Sequence, residues 1–348
     1  MFKTKISGVG MYVPKDVVAN NDLLKYMDTS DEWIQERTGI KERRYAHRTE
    51  ETTTTMGVEA AKSAIERAGI TAQDIDFIIF ATLSPDYYFP GCGVLLQRAM
   101  KMKEIGALDV RNQCSGFIYA LSVGDQFIKT GMYKNILVVG AEKHSFGLDF
   151  STRGRNVSVI FGDGAGAVVL QASSNDSGIL STHLHSDGES AEILAMYNPG
   201  THANHWTDQK LADFDDAEIA EMFMSHSMID KAQLFPNMDG PAVFKKAVEK
   251  FPEVIIEALT ANNLQTSDLR LLIPHQANLR ISQFVQKKLG LSDEQVYNNI
   301  QKYGNTTAAS IPIALCEAWE QGKIKDNDLI CLAAFGSGFT WASALIKW

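Results

Sequence analysis

The chain carries an internal repeat. The segment AIERAGITAQDIDFII (64–79) resembles ALTANNLQTSDLRLLI (258–273), and in both a helix end is followed by a turn, an aspartate and an apolar strand. Asp74 and Asp268 stand 194 residues apart, and Ala120-Leu121 and Ala314-Leu315 keep that spacing. GMYKNILVV (131–139) and GKIKDNDLICL (322–332) match with a small shift. Two similar halves are expected, 1–172 and 173–348, meeting near residue 172. A duplicated α/β unit places its site where the halves meet, because strand ends and helix starts converge there.

Apolar runs supply the strands. DFIIFATL (76–83), NILVVGAE (135–142), LRLLIPH (269–275) and DLICLAAF (328–335) read as buried strands. VSVIFGDGAGAVVL (157–170) reads as strand too, with a tight turn at GDGAG. That glycine motif leads into AVVL rather than a helix, so it is not a dinucleotide fingerprint. Helical patterns lie between the strands, as in VEAAKSAIERAG (58–69) and EVIIEALTANN (253–263). The alternation predicts an α/β fold with a largely parallel central sheet. Residues 190–237 break the pattern: they are acidic, hold Met196, Met222, Met224 and Met228, and allow a helix over 216–230. They read either as a surface excursion or as a methionine-rich flap over an apolar channel.

Charge and composition exclude several classes. A net charge of -9 argues against general nucleic-acid binding. No apolar run approaches the roughly 20 residues of a membrane helix, and the N-terminal apolar stretch is short for a signal peptide. A cytoplasmic protein is expected. Cys92, Cys114, Cys316 and Cys331 show neither zinc-site nor disulfide spacing. The pairs His183/His185 and His202/His205 have metal-compatible spacing but no third ligand in register, so no metal site is predicted.

Three residues point to chemistry. In DVRNQCSGFIYAL, Cys114 falls between a strand-like run and a helix, where the helix dipole favours thiolate. In LLIPHQANLRI, His275 follows a buried strand end. In KYGNTTAASIP, Asn305 sits at a glycine turn before a helix, where it also suits an N-cap. Taken singly, each has a structural reading: buried thiol, turn histidine, cap.

Together they resemble the Cys-His-Asn set of the β-ketoacyl-acyl-carrier-protein synthase III family of the thiolase superfamily. WIQERTGIKERR (33–44), NQCSGF, VIFGDGAGAVVL, PHQANLR, GNTTAASIP and AFGSGFTWASALI (334–346) occur in the family's order. The resemblance covers the chain outside 190–237. It implies the thiolase fold, two βαβ-type halves in an α-β-α-β-α sandwich, and a homodimer. It implies acyl transfer from acyl-CoA to Cys114, then decarboxylative condensation with malonyl-acyl-carrier protein (malonyl-ACP). Both thioesters are substrates, and no cofactor is implied. A same-fold ketosynthase of a secondary pathway is the alternative.

By the same resemblance the backbone N–H groups of Cys114 and Ser337 form an oxyanion hole, with serine where the family usually has glycine. His275 and Asn305 would stabilise the enolate. Trp33, Arg37 and Arg155 match positions flanking the adenine of coenzyme A. Lys245 and Arg280, with Lys246, Lys287 and Lys288, form a candidate docking patch for an acidic carrier protein. Phe89, Phe117 and Phe244 are the candidate acyl-pocket residues.

Overall fold

The computed structural model describes residues 2–200, 224 and 226–348. His202, His205, Met222 and most of the expected 216–230 helix lie outside the described residues; within that helix, His226–Asp230 is helical.

Two sheets organise the molecule. The first runs β1 (Lys3–Tyr12), β7 (Gly164–Ser173), β6 (Asn135–Glu142), β4 (Phe77–Ala81) and β5 (Gly106–Val110), in that spatial order. The second runs β11 (Leu271–Pro274), β12 (Leu329–Gly336), β13 (Thr340–Lys347) and β8 (Gly178–Ser186). Two ribbons complete the strands: β2 (Asp16–Ala19) with β3 (Glu42–Tyr45), and β9 (Leu194–Ala195) with β10 (Asn237–Met238). Neither large sheet is largely parallel, contrary to the sequence reading. β5, β4 and β6 pair in parallel, as do β11 and β12, while β7, β1, β13 and β8 all join antiparallel. Apolar runs buried on both faces look alike in either direction, so the sequence pattern does not carry strand direction.

The spacing of 194 recurs in the elements. β6 begins at Asn135 and β12 at Leu329, and β4 begins at Phe77 and β11 at Leu271. The repeated aspartates do the same work: Asp74 accepts from the Thr71 N–H and Asp268 from the Gln265 N–H, each closing the turn before its strand. Two helices also start at that spacing, α4 (Gly116–Lys129) and α7 (Ser310–Glu320). α7 is buried continuously from Ser310 to Ala318, as a helix between two sheets must be. α4 touches strands of both sheets. Outside the first sheet lie α2 (Thr53–Arg67) and α3 (Cys92–Ala99); outside the second lie α5 (Gly240–Ala261) and α6 (Leu279–Leu289). The result is the five-layer α-β-α-β-α arrangement. No described helix is long and apolar enough to cross a membrane.

One strand expectation fails locally. Residues 155–158 form a helical turn, and β7 begins only at Gly164. Asp163 is the reason: its buried carboxylate accepts from the Ala46 and Ser145 N–H groups and the Ser145 hydroxyl, which turns the chain at GDGAG.

α2 lies directly on β1 because two strand positions lack side chains. A Cβ at Gly8 or Gly10 would fall 2.1 Å from the carbonyl oxygen of Ala64 or Ala60. Gly10→Ala therefore has to push helix from sheet, and is expected to cost about 3 kcal/mol or more. Urea unfolding measures it; a loss under about 1 kcal/mol would mean the layers separate easily.

Candidate active site

The site forms where two segments cross. The Asn305 N–H donates to Ile160 O at 2.9 Å, and the Gly162 N–H donates to Asn305 O at 3.1 Å. A Cβ on Gly162 would sit 2.3 Å from Tyr303 O, so the crossing requires glycine. Beside it, the short turns Gln113–Ser115 and Thr307–Ala309 face one another.

Cys114 sits in the first turn, two residues before α4, and is 7% exposed. A Cβ on Gly336 would lie 2.3 Å from Cys114 Cβ, so the last residue of β12 must be glycine for the thiol to fit. Burial pushes the Cys114 thiol up to about 12, opposed by the backbone N–H groups of Ser337 and of Cys114 itself. The resting group is therefore a thiol, and here the desolvation outweighs the helix start that favours thiolate. The Ser337 hydroxyl donates to Leu194 O at 2.5 Å, tying the turn after β12 to β9.

His275 follows β11, and its N–H extends the parallel pairing to Ala333 O at 2.7 Å. Its Nδ1 is 2.6 Å from Ser310 Oγ, while Nε2 is buried without a partner. Desolvation, reinforced by His144, lowers its pKa to about 3, so the imidazole is neutral. Asn305 is not a helix cap. Its Oδ1 accepts from the Thr307 N–H at 2.8 Å, which leaves its amide NH₂ as the group available to the cavity.

Cys114, His275 and Asn305 line one cavity of about 740 Å³. Its walls include Leu194, Met238, Phe244 and Phe251, and its exposed end carries Arg37 and Arg280. Trp33 also lines it, with Arg37 and Arg155 guanidinium carbons 4.4 and 4.9 Å from its ring centroid. Arg280 lies 5.8 Å from the Phe244 ring centroid. Lys245, on α5, is exposed, and Lys246 pairs with Asp187 at 3.6 Å.

The three acyl-pocket candidates lie in different places, and Phe244 is the one that lines the cavity. Phe117 is fully buried among core side chains of the central layer and does not reach the cavity. Phe89 is 80% exposed, beside exposed Tyr87 and Tyr88, and does not line it in this protomer. Of the histidine pairs, His183 and His185 both face Glu257, at 3.3 and 2.6 Å. No metal-binding group of three is found among the described residues.

Comparison with known proteins fits this geometry. Residues 108–188 match the model for 3-oxoacyl-[acyl-carrier-protein (ACP)] synthase III, and residues 259–348 match its C-terminal model. The chain is 44% identical to the β-ketoacyl-[acyl-carrier-protein] synthase III of Aquifex aeolicus, covering 99% of each. It belongs to the β-ketoacyl-ACP synthase III family. The solved synthase III from Aquifex aeolicus superposes with a TM-score of 0.86 at 44% identity, covering 99% of this chain and 100% of that one. The Thermus thermophilus synthase III gives 0.88 at 36% identity, covering 99% of each. The priming β-ketosynthase of the R1128 polyketide pathway gives 0.85 at 29%, covering 99% of this chain and 96% of that one.

Two buried groups close to the site escaped the sequence reading. His144 is buried, with Nε2 2.6 Å from Thr307 Oγ1 and its ring 4.5 Å from that of Phe161. Glu142 ends β6 buried, accepting from the Thr82 and Ser84 hydroxyls and the Leu83 and Ser84 N–H groups. Desolvation pushes its carboxyl up to about 7. An acid closing the otherwise apolar run NILVVGAE was the available signal for Glu142. A lone histidine two residues later carried none.

Burial lowers the His144 pKa from 6.5 to about 3. Between those values the unfolded chain binds a proton that the folded chain does not. The associated stability is therefore complete above pH 6.5 and falls as pH drops toward 3. His144→Gln removes one such site and keeps a polar partner for Thr307. Its stability should fall less steeply than that of the unaltered protein, by about 1.4 kcal/mol per pH unit between about pH 6 and pH 4. Urea titrations across that range measure the slopes, and equal slopes would mean that His144 is already charged in the folded state.

Proposed function

We propose that the chain is a β-ketoacyl-ACP synthase III that condenses an acyl-CoA primer with malonyl-ACP to start fatty acid synthesis. The observation that carries this reading is a buried thiol, an unpaired neutral imidazole nitrogen and an oriented carboxamide on one cavity, in a chain 44% identical to a synthase III across its length.

Cys114 Sγ attacks the thioester carbonyl of the acyl-CoA. The bond to the coenzyme A sulfur breaks, that sulfur leaves with the thiol's proton, and the acyl group remains on Cys114 as a thioester. The N–H groups of Cys114 and Ser337, which hydrogen-bond the sulfur, would hold the oxyanion. Malonyl-ACP then loses CO2, and the enolate oxygen receives hydrogen bonds from His275 Nε2–H and the Asn305 amide. The enolate carbon attacks the acyl carbonyl, and Cys114 leaves as a thiolate that takes a proton from solvent to restore the thiol. A neutral imidazole and a carboxamide suit this step, because neither offers the malonyl carboxylate a cation that would retain it.

The exposed end of the cavity suits the rest of each substrate. Trp33, Arg37 and Arg155 would receive the adenine nucleotide, a purine stacking where a guanidinium now lies. Lys245 and Arg280 would meet the acidic carrier protein. Exposed Tyr87, Tyr88 and Phe89 would be covered by a second copy in a homodimer, which returns Phe89 to the role expected of it. Residues 1–172 and 173–348 are its two halves, with the 190–237 stretch an insertion in the second. A cytoplasmic location fits these substrates.

Incubation with a panel of acyl-CoAs should add one acyl mass to Cys114, and Cys114→Ala should abolish it in a folded protein. His275→Ala and Asn305→Ala should still acylate, while CO2 release falls by about 10²–10³. Burst acylation and CO2 release, measured separately, decide it: equal losses in both would end the assignment of these residues to the enolate step. Condensation by the alanine variant of Cys114 would remove the mechanism altogether.

Charge reversal at Lys245 and Arg280 should raise the KM for malonyl-ACP several-fold at low ionic strength. The effect should shrink with added salt, since screening at physiological strength acts over about 8 Å. Unchanged kinetics at low salt would take the patch out of carrier docking.

A further inference from the structure

A neutral imidazole has one N–H, so His275 can donate into the cavity only if that hydrogen sits on Nε2. The surroundings of its other nitrogen decide this. Ser310 Oγ lies 2.6 Å from Nδ1 and also accepts from the Gln276 backbone N–H at 3.4 Å. A hydroxyl has a single hydrogen. If Nδ1 were the protonated nitrogen, Ser310 Oγ would take two N–H bonds and its own hydrogen would need a further acceptor. Among the described residues that oxygen bonds to no other acceptor, and Ser310 is 2% exposed, so bulk water does not supply one. With the Gln276 N–H on one lone pair, the hydroxyl hydrogen points to Nδ1.

We propose that Ser310 is a positioning residue that fixes His275 in the Nε2–H tautomer by donating its hydroxyl hydrogen to Nδ1. Ser310 is not among the residues that line the cavity; it opens α7, and acts through the imidazole. The catalytic consequence, though not the tautomer itself, rests on the reading that Nε2–H stabilises the enolate. The same stretch holds the other donor as well, because the Thr307 N–H orients Asn305. One short segment thus points both donors of the second step.

The test begins with the unaltered full-length protein, selectively labelled with ¹⁵N-histidine, the His275 signals being assigned by their loss in His275→Gln. Nε2 protonated and Nδ1 bare is the expected result. Nδ1 protonated would overturn the proposal without recourse to any variant. Ser310→Ala should then release the tautomer into a mixture and lower CO2 release at least about tenfold, with burst acylation of Cys114 changed less than about twofold. Ser310→Thr, which keeps the hydroxyl, should restore both. A His275 tautomer unmoved by Ser310→Ala also overturns the proposal. A tautomer that moves without a fall in CO2 release upholds the serine lock and instead removes His275 from the enolate step.

Discussion

The contact between two short turns constrains the rest of the molecule. Gln113–Ser115 and Thr307–Ala309 meet at the centre, and each begins with a non-glycine residue at positive φ, 44° at Gln113 and 49° at Thr307. Such backbone costs on the order of 1–3 kcal/mol per residue and persists only where its surroundings determine it. Here they do. A Cβ on Gly140 would fall 2.4 Å from Ala308 O, and one on Gly336 would fall 2.3 Å from Cys114 Cβ. Each turn is pressed against a glycine on a neighbouring strand, and each launches a helix of the buried central layer. The duplication of the chain is in this sense a duplication of the strained turn.

The two turns are equivalent in backbone and opposite in use. The first carries a thiol at Cys114; the equivalent residue of the second is Ala308, with no reactive group. The second turn instead orients donors: the Thr307 N–H holds Asn305, its hydroxyl meets His144, and Ser310 meets His275. Burial then acts on four buried groups in the same direction, toward the neutral form. It raises Cys114 and Glu142 and lowers His275 and His144. A site with few fixed charges and several aimed N–H groups favours negative charge that appears during reaction over negative charge that arrives with the substrate.

Much of this was legible in the chain, and the limits are physical. The spacing of 194 was legible because two strand starts and the aspartates that close the turns before them recur at that offset. Cys114, His275 and Asn305 were found because each is embedded in a long motif, and all three share the cavity. Strand direction was not legible, since runs such as NILVVGAE and AVVL are apolar whichever way their neighbours run. Residues 157–160 were misjudged because VSVI has strand composition, while the turn that follows is held by the contacts of Asp163 with Ala46 and Ser145. Phe117 was a candidate for the pocket, but a helix turns its side chains by about 100° per residue, and this one faces the core. His144 and Ser310 matter only through partners distant in sequence, so no local pattern reports them.

The cavity separates two electrostatic tasks along its length. The chain carries a net charge of -9, yet its exposed end gathers Arg37 and Arg280, with Arg155 over Trp33. Cations there attract phosphates and acidic surfaces while remaining solvated, so they are not desolvated at the cost that burial would exact. The cavity's walls also include Leu194, Met238 and Phe251, and among the described residues Arg37 and Arg280 are the arginines that line it, with no lysine. A cation buried beside Cys114 would bind a carboxylate in a medium where its field is poorly screened, and would oppose the loss of CO2. On the proposed reading, the nucleotide phosphates and the acidic carrier protein would stay at the solvated entrance, and only the thioester, with the malonyl carboxylate in the second step, would reach the site of Cys114.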